Sequence, residues 1–407
     1  MKARRRSSNL DRISALPQPI IENILCHLPI QDAVRTSVVS RDWRYTWTKI
    51  PQLAFSEFQF KASTDDNKLS ALEKTFGVTS QRRNMTKRCK LFYGIYHVLL
   101  TRQGPVDVFT LCMKADKSCV ELDQIIHHLS RSSNNTLKKL TLYLNSSSGS
   151  GYKLPLSFFS LKRLTHLTLD GCHLDDQPTF KGFPSLTTLS LDDVNTSKSM
   201  LIHLVSSCPL IKRFTLIIDD ENIIGDDDDD DANITKLLDC LHVIEHLCIS
   251  HSAIQCFEDR GVPQELPSAL VHLKFFCFVD ISFIAKCGLL FVGLVIRNSP
   301  NLEKLRLTVS QYPFLEKSKI EPINLQDYSD IWLEHLKELE IEDFVNLEHL
   351  LEFVKLILTK SPVLKKVSIF LYYEVTTDEE MMVLRILLCS PRASPHAKIF
   401  VERRPIK

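Results

Sequence analysis

The sequence predicts an α/β fold, in which parallel strands stack into a solenoid behind a short all-helical module at the N-terminus. Three observations lead there. An apolar-x-x-apolar-x-apolar motif returns ten times between residues 106 and 369. Segments such as Met200–Ser207 before Cys208-Pro209, and Glu352–Thr359 before Ser361-Pro362, read as helical returns between copies. Residues 11–50 instead carry a helical apolar period.

The copies are Val106-x-x-Phe109-x-Leu111, Leu137-x-x-Leu140-x-Leu142, Leu164-x-x-Leu167-x-Leu169, Leu186-x-x-Leu189-x-Leu191 and Ile211-x-x-Phe214-x-Leu216. They continue as Ile244-x-x-Leu247-x-Ile249, Leu270-x-x-Leu273-x-Phe275, Leu302-x-x-Leu305-x-Leu307, Leu336-x-x-Leu339-x-Ile341 and Leu364-x-x-Val367-x-Ile369. From Leu137 onward they start 22 to 34 residues apart, so some carry insertions beyond the 20–29 residues of a leucine-rich repeat. The copy Leu164 to Leu174 adds Cys172, the small buried residue of that signature.

Side chains alternate along a strand, so the leucines fill the interior and the residues between them line the concave sheet. Candidate target-binding residues on that face are His166, Asp170, Ser190, Arg213, His246, His272, Lys274, Arg306, Glu338 and Glu340. Repeat proteins bind macromolecules on such a surface. Its mixed charge and lack of a regular aromatic ladder point to a protein, not a nucleic acid.

In the N-terminal module, Pro19 suits a first helical turn, with Ile20, Ile21, Ile24, Leu25 and Leu28 following along one face before Pro29. A second helix is expected from Asp32, with Ala33, Val34, Ser37 and Val38 on one stripe. Ser40 is placed to cap a third, which stacks Trp43 and Trp47 at i, i+4. Forty residues cannot cover that much apolar surface alone, and no metal or disulfide set is present to help. The uncovered aliphatic face predicts docking onto another protein.

The segments Asp11-Arg12-Ile13-Ser14-Ala15-Leu16-Pro17 and Asp32-Ala33-Val34-Arg35-Thr36-Ser37-Val38-Val39-Ser40-Arg41-Asp42-Trp43-Arg44, with Trp47, closely resemble the F-box of plant F-box/FBD/leucine-rich-repeat proteins. Cys89–Gly104 resembles that family's lead-in helix, and Leu347–Arg404, with Pro391-Arg392-Ala393-Ser394, resembles its C-terminal FBD segment. Asp42 departs from a usual basic residue, and Thr46 from a common apolar one.

The resemblance implies a non-catalytic substrate receptor of an SCF-type ubiquitin ligase. A Skp-type adaptor, and through it a cullin, would dock on Leu16, Pro17, Ile20, Ile21, Ile24, Leu25, Leu28, Pro29 and Val34, while the repeats hold a target protein. The alternative is a repeat-based binding scaffold outside ubiquitin ligation. The expected organisation is a basic tail over 1–10, the F-box over 11–52, and a linker over 53–105 whose polar stretch Lys61–Arg88 is an insertion. Repeats over 106–320 and FBD-like repeats over 321–407 complete it.

Composition narrows the remaining classes. Fifty Lys and Arg against 49 Asp and Glu argue against bulk attraction to phosphate. Only 11 glycines, with no G-x-G-x-x-G or G-x-x-x-x-G-K, leave no phosphate-cradling loop, and no cofactor is expected. No apolar run is long enough to span a bilayer, and no signal-peptide core follows Arg4-Arg5-Arg6. Twelve scattered cysteines without C-x-x-C fit a reducing compartment, so the chain is expected in the cytoplasm, the nucleus or both.

Two metal readings compete with these. His242-Val243-Ile244-Glu245-His246 matches H-x-x-E-H, which needs one continuous helix, whereas the repeat places His246 in a strand. His246, Cys248 and His272 are zinc-competent residue types on the expected concave face, where solvated side chains are the default. The run Asp226–Asp231 reads as a solvated loop, with a lure for a basic target as the alternative.

Overall fold

The computed structural model describes residues 16–28, 30–38, 43, 45–59, 80–131, 136–145, 151–175, 179–218, 233–257, 265–281, 286–310 and 331–403. They fall into two units, Met1–Leu164 and Thr165–Lys407. The basic tail, Pro29, Ser40, Asp42 and the run Asp226–Asp231 lie outside the described residues.

The first unit opens with α1 (Gln18–Cys26) and α2 (Ile30–Arg35). Pro17 and Pro19 begin α1 at no cost, because the first-turn amides have no intrahelical acceptor. α2 starts at Ile30, two residues before the expected Asp32, so that Ile30 and Ala33 are its buried positions. The expected third helix is a 3-10 turn over Thr46–Lys49, with Trp43 preceding it. Both tryptophans are buried, and Trp47 stacks on His97 with ring centroids 6.5 Å apart. Thr46 is buried too, and its hydroxyl accepts a hydrogen bond from Gln18 Nε2 at 3.1 Å, which ties the turn to the start of α1.

Next come β1 (Gln52–Ser56), α3 (Ser80–Thr101), β2 (Val108–Lys114), α4 (Val120–Arg131), β3 (Lys139–Asn145) and the short β4 (Tyr152–Lys153). β1, β2 and β3 pair in parallel. β1 is an eleventh copy of the motif, Ile50-x-x-Leu53-x-Phe55, with all three residues buried and Phe55 against Phe109 at 5.9 Å. It straddles the expected boundary at residue 52. Helix α3 also begins earlier than the expected lead-in at Cys89. Residues 80–88 are rich in Gln, Arg, Met and Lys, good helix formers that show no apolar periodicity. Arg88 anchors that extension, donating to Cys119 Sγ at 2.9 Å and pairing with Asp116 at 3.3 Å.

The second unit is built around one parallel sheet. In sequence order its strands are β5 (His166–Asp170), the short β6 (Cys172–His173), β7 (Thr188–Asp192), β8 (Arg213–Ile217) and β9 (His246–Ser250). β10 (Phe275–Ile281), β11 (Lys304–Val309), β12 (Glu338–Phe344), β13 (Lys366–Leu371) and β14 (Lys398–Arg403) follow. Apart from β6, each pairs with the next in chain order. Parallel neighbours need a crossover. Here α5 (Lys198–Ser206), α6 (Ile234–Asp239), α7 (His251–Cys256), α8 (Lys286–Arg297), α9 (Glu348–Lys360) and α10 (Thr377–Cys389) provide helical ones. Side-chain oxygens of Ser197, Asn233, Ser250 and Thr376 cap four of these helices.

The apolar motif positions are buried in every copy except at Val106, which is half-buried, and at Phe275, where the frame differs. At β10 the strand residues are Phe276 and Phe278, in register with Leu305 and Leu307, so the copy is Leu273-x-x-Phe276-x-Phe278. The expected Leu270-x-x-Leu273-x-Phe275 lies three residues early. An odd slip exchanges the two faces, so Phe275 points outward while His272 and Lys274 precede the strand in an exposed turn. Both frames are apolar at the key positions; Phe276 and Phe278 win by packing on Phe291 of α8 at 6.3 and 5.6 Å. Starts at 244, 273 and 302 are evenly spaced, whereas 244, 270 and 302 are not.

Candidate functional site

Two surfaces emerge, one in each unit. On α1 the aliphatic residues divide between two sides. Ile21 and Leu25, one turn apart, are 2% and 0% exposed, whereas Ile20, Ile24 and Leu28 are 47%, 40% and 38% exposed. The sequence treated all five as one docking face; burial removes Ile21 and Leu25 from it, because they are sealed inside the module, as Trp43 and Trp47 are. Pro17 is exposed beside the outer three, and Leu16 and Val34 are half-buried. The bare edge is therefore Pro17, Ile20, Ile24 and Leu28, with Ile20 and Ile24 one turn apart on α1 and Leu28 in the turn that ends it.

In the second unit, residues between the buried positions of each strand form in-register rows on the sheet face opposite the motif leucines. One row runs His166, Thr188, Arg213, His246, Phe275, Lys304, Glu338, Lys366 and Lys398. The next runs Thr168, Ser190, Thr215, Cys248, Cys277, Arg306, Glu340, Ser368 and Phe400. Of the expected target-binding residues, the structure aligns His166, Arg213, His246 and Glu338 in the first row and Ser190, Arg306 and Glu340 in the second. Asp170 pairs in register with Asp192 in a third. His272 and Lys274 leave the set for the reason given above, and Phe275 and Cys277 take their place.

The rows differ electrostatically along the sheet. On β11 and β12 the charges satisfy each other. Lys304 Nζ reaches Glu340 at 2.9 Å and Glu338 at 3.2 Å, and Arg306 pairs with Glu342 and, at 3.7 Å, with Glu340. Burial pulls the Lys304 ammonium downward, but its bonds to Glu340 and Glu338 outweigh that and leave it raised. This network is a fixed feature of the sheet before any partner arrives. Farther along, small neutral groups at Thr168, Ser190 and Thr215 line the middle row, and His246 lies against Phe275 with ring centroids 5.6 Å apart. Burial beside Arg213 pushes the His246 imidazole below its ordinary value, favouring the neutral ring.

Neither metal reading survives the geometry. His242 is exposed in a turn and His246 stands on β9, so no helix aligns them, and Glu245 is bonded to Lys212 at 2.8 Å. His272, in its turn, lies on neither the row of His246 nor that of Cys248. Among the described residues no group of three or more His, Cys, Asp or Glu is arranged to hold a metal ion. No described helix is long and apolar enough to cross a membrane.

Comparison with known proteins follows the same division. The F-box domain family matches residues 13–53, which contain the bare edge of α1. The family described as FBD-associated F-box protein At5g56370, LRR repeats, matches residues 123–224, and the FBD family matches residues 332–369. The F-box/FBD/LRR-repeat protein At1g13570 of Arabidopsis thaliana is 28% identical over 432 residues, spanning 96% of this chain and 98% of its own. The putative F-box/FBD/LRR-repeat protein At5g52460 of the same plant is 27% identical over 73% of this chain and 71% of its own. The putative F-box/LRR-repeat protein At3g18150, also from Arabidopsis thaliana, is 23% identical over 92% of this chain and 89% of its own. With the three segments in this order and a relative collinear over nearly the whole length, the chain is similar throughout to plant F-box/FBD/leucine-rich-repeat proteins.

Proposed function

We propose that the protein is the substrate-recognition subunit of an SCF-type ubiquitin ligase, acting in the cytoplasm, the nucleus or both. A Skp-type adaptor docks on the F-box and links the chain to a cullin, while the repeat strands, stacked as a solenoid, hold a target protein on their open rows. One observation carries the reading: Ile21 and Leu25 of α1 are sealed inside the module, yet Ile20 and Ile24, with Leu28 just past the helix, are left bare. Covering the exposed part of each of these side chains stabilises a complex by on the order of 1 kcal/mol. Three together, with Pro17, form an apolar anchor to which the remaining contacts of an interface add.

No covalent step is assigned to this chain. Its contribution is proximity: a lysine of the tethered target meets a ubiquitin thioester held on the same assembly, at an effective concentration far above that in free solution. The mutually paired charges on β11 and β12 leave the stretch from β5 to β10, with His166, Ser190, Arg213, His246 and Phe275, as the part of the face best suited to a partner.

Co-expression with a Skp-type adaptor tests the reading. The proposal predicts a stoichiometric complex by size-exclusion chromatography, and target-dependent ubiquitin transfer once cullin and RING subunits are added. A stable adaptor complex that supports no transfer to any captured protein would favour the non-ligase scaffold instead.

A further inference from the structure

Cys248 on β9 and Cys277 on β10 are directly opposed in register on parallel neighbouring strands. Their thiols share a hydrogen bond, Cys248 half-buried and Cys277 buried, on the row that runs from Thr215 to Arg306. Adjacent strands lie about 4.7–4.9 Å apart, so the two α-carbons fall inside the 4.4–6.8 Å that a disulfide spans. In a chain whose cysteines are otherwise scattered, this is a pair already positioned for bond formation.

We propose that Cys248 and Cys277 form a peroxide-oxidisable dithiol, a reversible modification site on the open face of the sheet. Cys248 is the attacking sulfur. The hydrogen bond from Cys277 lowers its pKa against the opposing effect of burial, and the Arg306 guanidinium, in register with Cys277, adds to the lowering. Reactivity of a thiol follows its thiolate fraction and its access to solvent. Cys277, as donor to that sulfur and more deeply buried, keeps its proton and acts as the resolving group.

The chemistry balances with a hydroperoxide as oxidant. The Cys248 thiolate attacks one peroxide oxygen, the O–O bond breaks, and the departing hydroxide takes a proton to leave as water. The resulting sulfenic acid is then attacked by Cys277 sulfur; the S–O bond breaks, hydroxide leaves, and the Cys277 proton makes it the second water. Two thiols lose two electrons and the peroxide gains them. Closing the disulfide joins β9 to β10 and removes two thiols from the centre of the row. This inference is independent of the ligase reading and needs neither adaptor nor target to test.

The experiment is a stepped hydrogen peroxide titration of the full chain, with remaining thiols alkylated under denaturing conditions and peptides mapped by fragmentation. The expected result is early loss of two thiols as a Cys248–Cys277 cross-link, before the exposed Cys89 and Cys389 react, with full reversal by dithiothreitol. Cys277→Ser should leave a dimedone-trappable sulfenic acid on Cys248. If that variant does not fold, Cys248→Ser at the half-buried position serves, and there Cys277 should stay alkylatable at the same peroxide dose. Cross-linking of neither residue while Cys89 and Cys389 oxidise overturns the proposal, as does oxidation of both without a bond between them.

Discussion

Ile20 and Ile21, adjacent on α1 and so about 100° apart around its axis, meet different surroundings: one is open to solvent and the other is sealed inside the module. The same residue type thus serves two purposes one position apart, and substitutions should separate them. Ile21→Ala or Leu25→Ala removes buried volume and should cost about 2–5 kcal/mol, read as a lowered unfolding midpoint. Ile20→Ala should leave the unfolding free energy within about 0.5 kcal/mol of the parent, since surface truncations away from caps and networks are close to neutral. An equal loss of stability from both positions would contradict the division.

That division was only half legible in the sequence. Periodicity put Ile20, Ile21, Ile24, Leu25 and Leu28 on a helix, but a stripe wide enough to hold all five does not say which of its two edges faces inward. What decides is the turn over Thr46–Lys49, tied to the start of α1 by the Gln18–Thr46 hydrogen bond across 28 positions of the chain. The strand frames were legible wherever only one register was apolar. They failed at Leu270–Phe278, where two were, and the even spacing of starts at 244, 273 and 302 was the signal that resolves it. The same motif at Ile50–Phe55 adjoins the helical module, whose helical period masks it. Charge pairing among Lys304, Arg306, Glu338, Glu340 and Glu342 needed the strands' spatial order, which no single repeat contains.

Gly182 adopts φ +81°, and a β-carbon placed there would sit 1.8 Å from the Ser207 carbonyl oxygen. Both the left-handed backbone and the close approach exclude a side chain. Gly182→Ala should therefore destabilise the second unit by more than ~1 kcal/mol, lowering a thermal midpoint by at least about 2–4 °C for a unit of this size. An unchanged midpoint would mean that the turn does not require glycine.

Glu342 is buried, and Arg306 is paired with it across the β11–β12 ladder. Arg306→Ala should cost roughly 1–3 kcal/mol, because it deprives a buried carboxylate of its charged partner. The double variant Arg306→Ala with Glu342→Gln should recover part of that loss. Urea unfolding of the three proteins provides the check; equal midpoints for parent and single variant would count against a structural role for the pair.

Bonds from Lys212 and Lys337 hold the Glu245 and Glu303 carboxyls below the usual carboxylate range. A carboxylate lowered by folding stabilises at pH values above its unfolded pKa, about 4.3, and that contribution fades as the pH falls through the lower folded value. Both pairs are solvent-screened, so each is worth well under ~1 kcal/mol. The difference in unfolding midpoint between the parent and Glu245→Gln/Glu303→Gln should be present at pH 7 and shrink below pH 4. A difference that grew on acidification would contradict the sign.

The most direct test of the account is the affinity of a purified Skp-type adaptor for the full chain, compared with an Ile20→Asp/Ile24→Asp variant shown by circular dichroism to be folded. The account predicts submicromolar binding by the parent and a loss of at least 100-fold in the variant, an order of magnitude set by losing burial of two aliphatic side chains. Equal affinity for both proteins, or no adaptor binding by the folded parent, would contradict it.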